Sequence, residues 1–183
     1  MDYVTSGPVM AMELMRTNAV KHWRQLLGPT DPLKGRMDFP DTIRAKFGKD
    51  TTKNAAHGSD SAESADRVGH KSTVLTWLLP YNMLSLFTLQ ELAFFFPSGT
   101  FQSSELTPRS AATFEDSTCC IVKPHAVKDG LIGNIVDVIQ TNGFAVTGMQ
   151  TFNLKYEHAE EFFEIYKGVV QDYTVSDDQA KEF

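Results

Sequence analysis

The sequence predicts a mixed α and β fold, because short apolar runs typical of buried strands alternate with segments of helical spacing. Pro8 to Met15 is such a run and is followed by a helical pattern from Ala19 to Leu27. Later in the chain the order is reversed: a helical pattern over Leu131 to Gln140 precedes a loosely alternating strand from Phe144 to Phe152. With 183 residues, 42% of them hydrophobic, the chain can form one ordinary domain or two small ones.

In the first third of the chain, residues typical of helix ends and loops predict where the elements begin and end. Asn18 is a suitable cap for the first helix and Gly28 a suitable stop. Three prolines lie within residues 29–42, which are therefore predicted to be loop. His57 follows in a turn-like setting among small residues, and Ser59 can cap a helix that begins just after it.

An apolar segment at residues 68–90 interrupts this pattern, and three interpretations of it stay open. One is a translated intron kept in frame. A second is a membrane-spanning helix, since Ser72 to Gln90 carries no formal charge. Pro80 and Asn82 dilute its hydrophobicity, so membrane insertion is disfavoured relative to the third interpretation, an exposed apolar patch.

The C-terminal part predicts a second structural unit. After a linker rich in Ser, Thr and Pro at residues 98–116, an apolar run contains the adjacent pair Cys119-Cys120. Neighbouring strand residues point to opposite faces, which favours two reduced cysteines of a cytosolic protein, and metal-ligand spacing is absent. Ala159 to Tyr166 predicts a helix, and the polar residues 174–183 predict a disordered tail.

Charge and motif content narrow the function. A net charge of −6 and a pI near 5.3 argue against a general nucleic-acid surface, but allow a local positive pocket for a nucleotide. Neither a Walker-type phosphate loop nor a protein-kinase signature is present in the sequence. A histidine flanked by small residues and preceded by arginines is an alternative to those motifs for contact with a phosphate group.

The segment from Asn54 to Asp60 reads N-x-x-H-G-S-D, and several other short segments accompany it in order. These are Ser6-Gly7-Pro8-Val9-Met10-Ala11-Met12, Leu27-Gly28-Pro29-Thr30-Asp31-Pro32, Thr42-Ile43-Arg44 and, later, Ile121-Val122-Lys123-Pro124. On these motifs the chain resembles the nucleoside diphosphate kinases. Their order matches the second half of one kinase domain followed by the first half of another, as in the centre of a two-domain family member. The resemblance predicts a fragment or variant of such a protein.

The resemblance implies an α+β, ferredoxin-like fold present here as two half-domains. The predicted divisions are 1–67 for the C-terminal half of the first domain, 68–90 for the apolar insertion, 91–116 for the domain end and linker, 117–173 for the N-terminal half of the second domain, and 174–183 for the tail. In the family fold the last strand lies beside the first, so the two halves could close as a circular permutant. A long connection adds little closure entropy to that arrangement.

The resemblance also assigns roles to residues. It implies that His57 takes the γ-phosphate of a nucleoside triphosphate and passes it to a diphosphate, with Glu91 orienting the imidazole. The implied nucleotide-binding residues are Arg24, Thr30, Arg44 and Asn54, together with Lys123 and Tyr166 of the second unit. Mg²⁺ is expected to arrive with the nucleotide, and no residue is predicted as a metal ligand.

A second function stays open beside catalysis. The resemblance is to a protein of ciliated cells, which implies a non-catalytic kinase-fold module in a ciliary or microtubule assembly. Its partners would be axonemal or tubulin-complex proteins, and its location the cytoplasm, the ciliary axoneme or the centrosome. Nucleotide binding without phosphate turnover would favour this alternative, and the insertion between His57 and Glu91 threatens the activity of the predicted catalytic pair.

Overall fold

The computed structural model describes residues 2–59, 83–96 and 116–170, with the backbone alone for residues 83–87 and 164–170. The strands are β1 Val9–Met15, β2 Ala56–Gly58, β3 Ser117–Val122 and β4 Ala145–Phe152. The helices are α1 Ala19–Leu27, α2 Pro32–Asp38, α3 Ile43–Phe47, α4 Met83–Phe95, α5 Pro124–Lys128, α6 Ile132–Thr141 and α7 Tyr156–Val170.

The four strands form one antiparallel sheet in the order β2-β3-β1-β4. Strands from the two halves of the chain therefore alternate across it. Met12 at the centre of β1 lies opposite Cys120 of β3 on one side and Met149 of β4 on the other. The α+β, ferredoxin-like arrangement predicted from the sequence is confirmed, and the shared sheet is the one that closure as a circular permutant requires.

Each face of the sheet carries its own apolar cluster, because side chains alternate along β1. Met12 joins a cluster under α1 and α6 that includes Trp23 and Ile139. Ala11, its neighbour, joins a cluster on the opposite face with Leu92 of α4 and Phe162 of α7. This second cluster combines helices from both halves of the chain, so packing on this face fixes the halves to one another.

The adjacent cysteines behave as the strand pattern predicts. Cys119 lies in the second cluster and Cys120 in the first, and both are buried thiols. Burial raises the pKa of each thiol well above its ordinary value, which keeps both protonated and unreactive near neutral pH.

Two local predictions are wrong. Residues 29–42 are not entirely loop, because α2 begins at Pro32. Proline is tolerated in the first helical turn, where its missing N–H has no helical partner to lose, and the Asp31 side chain accepts from the backbone N–H of Leu33 at 2.9 Å. His57, predicted in a turn, lies in the short strand β2, and the turn is centred on Ala55, two positions earlier.

Several predictions fall outside the described residues. These are the helix after Ser59, most of the linker at 98–116, and the tail at 174–183. Of the predicted insertion at 68–90, the described part belongs to α4, which continues without a break to Phe95. Within the described ranges, no helix is long and apolar enough to cross a membrane. The division into half-domains stays a prediction.

Candidate active site

A strained turn and a strand register place His57. Ala55 has a φ of 74°, a conformation uncommon for a residue with a Cβ, and the N–H of Ala56 donates to the Asn54 carbonyl at 3.0 Å. The Ala55 carbonyl accepts from the backbone N–H of Lys123 at 2.8 Å. His57 then pairs with Ile121 of β3, so its ring lies on the face of the sheet covered by α4 and α7.

The imidazole of His57 forms a hydrogen bond with a buried carboxylate. Its Nε2 lies 3.1 Å from Oε1 of Glu91, and Oε2 of the same carboxylate accepts from the hydroxyl of Ser59. Glu91 is fully buried, whereas the His57 side chain keeps 16% exposure. An ionised carboxylate only accepts hydrogen bonds, so in this pair the N–H at Nε2 is the donor, and a neutral ring would have its lone pair on Nδ1.

Helix α4 delivers Glu91 to this position despite the apolar segment that precedes it. Thr88, Glu91, Leu92 and Phe95 are all buried, and their spacing of three and four residues defines one helix face. The insertion separates His57 and Glu91 in sequence but does not separate them in the fold. The expected threat to the catalytic pair is therefore not realised in the structure.

A second group of predicted residues gathers around Arg44. One nitrogen of its guanidinium, Nη1, lies 3.3 Å from both the Thr30 hydroxyl and the Gly28 carbonyl. Nε lies 3.3 Å from the carbonyl of Ala56, the residue before His57. The structure thus joins Thr30 and Arg44 and ties both to the strand that carries the histidine. A guanidinium and a hydroxyl here provide donors suited to phosphate oxygens.

An arginine that the sequence analysis missed holds this group in place. The Arg36 guanidinium donates from Nε to the Ala45 carbonyl at 3.0 Å and from Nη2 to the Gly48 carbonyl at 2.5 Å. These carbonyls lie at the C-terminal end of α3, the helix that carries Arg44. The signal that could have found it is the Asp31-Pro32 helix start, which puts Arg36 within a helix rather than a loop.

Lys123 and Asn54 both contact the loop before His57. The Lys123 ammonium donates to the Thr52 carbonyl at 3.1 Å, which brings a cation from the second half of the chain beside the first. The Asn54 side chain is buried, and its Nδ2 donates to the carbonyls of Thr51 at 2.8 Å and Thr30 at 3.3 Å. Asn54 therefore supports the loop, and its contact with a sugar stays a prediction.

For Arg24 and Tyr166 the structure gives only a place in a helix. Arg24 is exposed in the last turn of α1. Position 166 lies in α7, but its side chain is not among those described. Their roles stay predictions. The hydroxyl of Ser59 donates to the Glu91 carboxylate, and the helix that the sequence predicts after Ser59 lies outside the described residues.

Comparison with known proteins agrees with this geometry. The family model for nucleoside diphosphate kinase matches residues 1–70 and 116–173, the two stretches that form the shared sheet. The chain belongs to the nucleoside diphosphate kinase family. It is 40% identical over 171 residues to nucleoside diphosphate kinase homolog 7 of Rattus norvegicus, covering 93% of this chain. The chain spans 36% of that relative's length.

Two shorter relatives each match about a third of this chain. A probable nucleoside diphosphate kinase 5 of Arabidopsis thaliana is 54% identical over 65 residues, 36% of this chain and 45% of that protein. A nucleoside diphosphate kinase of Aquifex aeolicus is 48% identical over 64 residues, 35% of this chain and 45% of that protein.

Metal binding in this family accompanies the nucleotide. Among the described residues, no group of three or more His, Cys, Asp or Glu side chains could hold a metal ion. Magnesium commonly binds substrate phosphates and keeps several waters, so a nucleotide-borne ion fits a site that offers hydrogen-bond donors rather than carboxylate ligands.

Proposed function

We propose that this member of the nucleoside diphosphate kinase family transfers the γ-phosphate of a nucleoside triphosphate to a nucleoside diphosphate through phosphohistidine at His57. The observation that carries the proposal is the buried Glu91 carboxylate at 3.1 Å from His57 Nε2. It fixes the tautomer in which Nδ1 is nucleophilic and stabilises the positive charge that the ring acquires when Nδ1 bonds to phosphorus.

Two balanced steps complete the cycle. The Nδ1 lone pair attacks the γ-phosphorus, the bond from that phosphorus to the bridging oxygen breaks, and the nucleoside diphosphate leaves with the electron pair. A terminal oxygen of a second nucleoside diphosphate then attacks the phosphohistidine, and the nitrogen–phosphorus bond breaks to return the neutral ring. The proton on Nε2 stays on the hydrogen bond to Glu91 throughout.

The surrounding residues would supply electrostatic stabilisation for the moving phosphoryl group. Arg44 and Thr30 already lie within hydrogen-bond distance of one another, and Lys123 lies against the same loop. Phosphoryl transfer depends on positioning and charge more than on covalent machinery, which suits this set of donors. When bound with the nucleotide, Mg²⁺ would supply charge neutralisation at the phosphates.

Labelling with γ-³²P-ATP and Mg²⁺ tests the proposal. The wild-type chain should acquire acid-labile, base-stable phosphate that is released on addition of a nucleoside diphosphate. His57→Ala should abolish the label, whereas His158→Ala, which removes an exposed histidine, should retain it. Label that persists in a folded His57→Ala variant would overturn the assignment of the nucleophile.

The alternative function is a non-catalytic module that docks into a ciliary or microtubule assembly. What favours docking is an exposed apolar set on and just after α2, formed by Leu33, Met37 and Phe39. Axonemal or tubulin-complex proteins would be the partners, and the cytoplasm, axoneme or centrosome the location. Nucleotide binding without phosphohistidine, together with co-sedimentation with axonemal microtubules, would support this function. Loss of that co-sedimentation in Met37→Lys would identify the surface.

A further inference from the structure

The ring of His57 contacts an aromatic side chain from the other half of the chain. Phe162 of α7 meets it edge to face, with the ring centroids 6.1 Å apart and an interplanar angle of 82°. Phe162 is 4% exposed and lies in the cluster that also contains Ile121, the strand partner of His57. Strand register and ring contact therefore place His57 independently on the same face of the sheet.

Phe162 is itself held firmly. Phe94 and Phe95 of α4 lie with their ring centroids 5.5 Å from it, and Phe163 lies at 5.4 Å. The helix that carries Glu91 thus also packs against Phe162 through these rings. Because the Phe162 ring is packed on several sides, its edge-to-face contact restricts rotation of the imidazole about the Cβ–Cγ bond of His57.

We propose that Phe162 is a positioning residue for His57, supplied by the second half of the chain to complete the site of the first. This inference rests on the proposed phosphotransfer. The Glu91 hydrogen bond selects which nitrogen carries the proton, and the Phe162 edge fixes the plane of the ring. Both are needed to direct Nδ1 at an incoming phosphorus, because misplacement by about 1 Å costs about a hundredfold in rate.

Phe95 offers a matched control in the same cluster. It is 2% exposed, contacts Phe162, and lies 5.1 Å from Phe152, but it makes no ring contact with His57 among the described residues. Phe162→Leu and Phe95→Leu therefore remove equal volume from one aromatic cluster. Only the first removes the neighbour of the imidazole.

The experiment combines two readouts on the full chain. One is the rate of phosphohistidine formation at saturating Mg-ATP, measured beside the dissociation constant for ADP. The other is the ¹⁵N spectrum of the His57 ring without nucleotide, which reports the proton on Nε2. We expect Phe162→Leu to slow phosphorylation about tenfold at an unchanged dissociation constant and to mix the two ring tautomers. Phe95→Leu, which can act on the imidazole only through Phe162, should have a smaller effect on both.

Equal effects of the two substitutions, or a wild-type rate and tautomer in Phe162→Leu, would overturn the positioning role. If Phe162→Leu does not unfold cooperatively, Phe162→Met, whose unbranched side chain adapts to irregular gaps in a core, replaces it with the same expected outcomes. A wild-type chain that never forms phosphohistidine would refute the proposed function. The tautomer comparison would then still decide whether Phe162 orients the ring.

Discussion

The ammonium of Lys123 donates to the backbone carbonyl of Thr52 at 3.1 Å, across 71 positions of sequence. The backbone N–H of Lys123 also donates to the carbonyl of Ala55 at 2.8 Å, so the contact involves both main chain and side chain. The loop that leads to His57 is thus supported by the residue that follows β3 in the other half. The candidate site belongs to neither half alone.

Replacement of Lys123 by Met should impair phosphohistidine formation more than it impairs folding. The variant loses a cation beside the phosphate-binding groups and one bond to the loop, while the apolar part of the side chain remains. We expect the rate to fall about tenfold, as for loss of a charge-assisted hydrogen bond. The measurement is label incorporation from γ-³²P-ATP. Lys34→Met, which removes an exposed lysine of α2, is the control and should keep the wild-type rate.

Glu91→Gln removes the negative charge of the carboxylate with little change in side-chain size. The amide has almost the same shape, but it cannot stabilise the cationic ring and can reverse the hydrogen bond to Nε2. We expect phosphohistidine formation to fall between about 10² and 10⁴-fold, the larger figure being that for a comparable Asp–His pair. Single-turnover labelling measures it.

Ser59→Ala provides the graded comparison to that variant. It removes one donor to the Glu91 carboxylate but keeps the charge, so the loss should be about tenfold. A Ser59→Ala effect as large as that of Glu91→Gln would show that the hydroxyl acts on the phosphate rather than through Glu91.

The sequence predicted the regular elements well where local signals agreed with tertiary packing. The helix Ala19–Leu27 matches its prediction at both ends, and β1 and β4 begin one residue after the predicted positions. The family motifs also pointed to His57, Thr30, Arg44 and Lys123, which lie in segments where residue type and spacing carry the information. The roles of these residues stay predictions, as does that of Glu91, which follows the apolar insertion.

What the sequence could not provide were contacts between distant segments. Proline content suggested loop for residues 29–42, but Asp31 and Pro32 together start a helix that Arg36 then fastens to α3. The contact of Phe162 with His57 depends on how α7 packs across the sheet, and no local pattern at either residue encodes it. Packing of two separated halves is a tertiary effect that periodicity does not record.

Two glycine substitutions should have opposite effects on stability. A Cβ at Gly58 would lie 2.2 Å from Nε1 of Trp23 and 2.8 Å from Cδ1 of Leu27, both fully or nearly buried. Trp23 also packs edge to face against Phe144, so it cannot easily move. We expect Gly58→Ala to lower the free energy of unfolding by about 2 kcal/mol, as overpacking of a core does.

Gly133 is the matched control for that measurement. It lies within α6, and a Cβ there would meet no atom within 4 Å. Gly133→Ala should therefore raise the free energy of unfolding by about 0.5 kcal/mol through helix propensity. Urea unfolding of the two variants and the wild type gives the comparison. A Gly58→Ala variant as stable as wild type would contradict the close packing of β2 against α1.

Stability should fall in mild acid because of His125. Its Nδ1 lies 2.5 Å from the hydroxyl of Tyr3, which joins the N-terminal segment to the start of α5. Burial lowers the pKa of His125 below its ordinary value of 6.5, the nearby Lys49 and Lys123 lower it further, and the Phe47 carbonyl and Asp129 oppose them. The unfolded chain therefore takes up this proton at a higher pH than the folded chain does.

The sign of the effect follows from that order of proton uptake. The contribution of neutral His125 is complete above about pH 6.5 and is lost as the pH falls from there through the lowered folded-state pKa. Urea unfolding at pH 7.5 and 5.5 should show a larger loss for the wild type than for His125→Gln, whose side chain does not titrate. Equal losses in the two proteins would assign the acid sensitivity to other groups. Because Tyr3 and His125 belong to different halves of the chain, a larger wild-type loss would show that protonation acts on the junction between them.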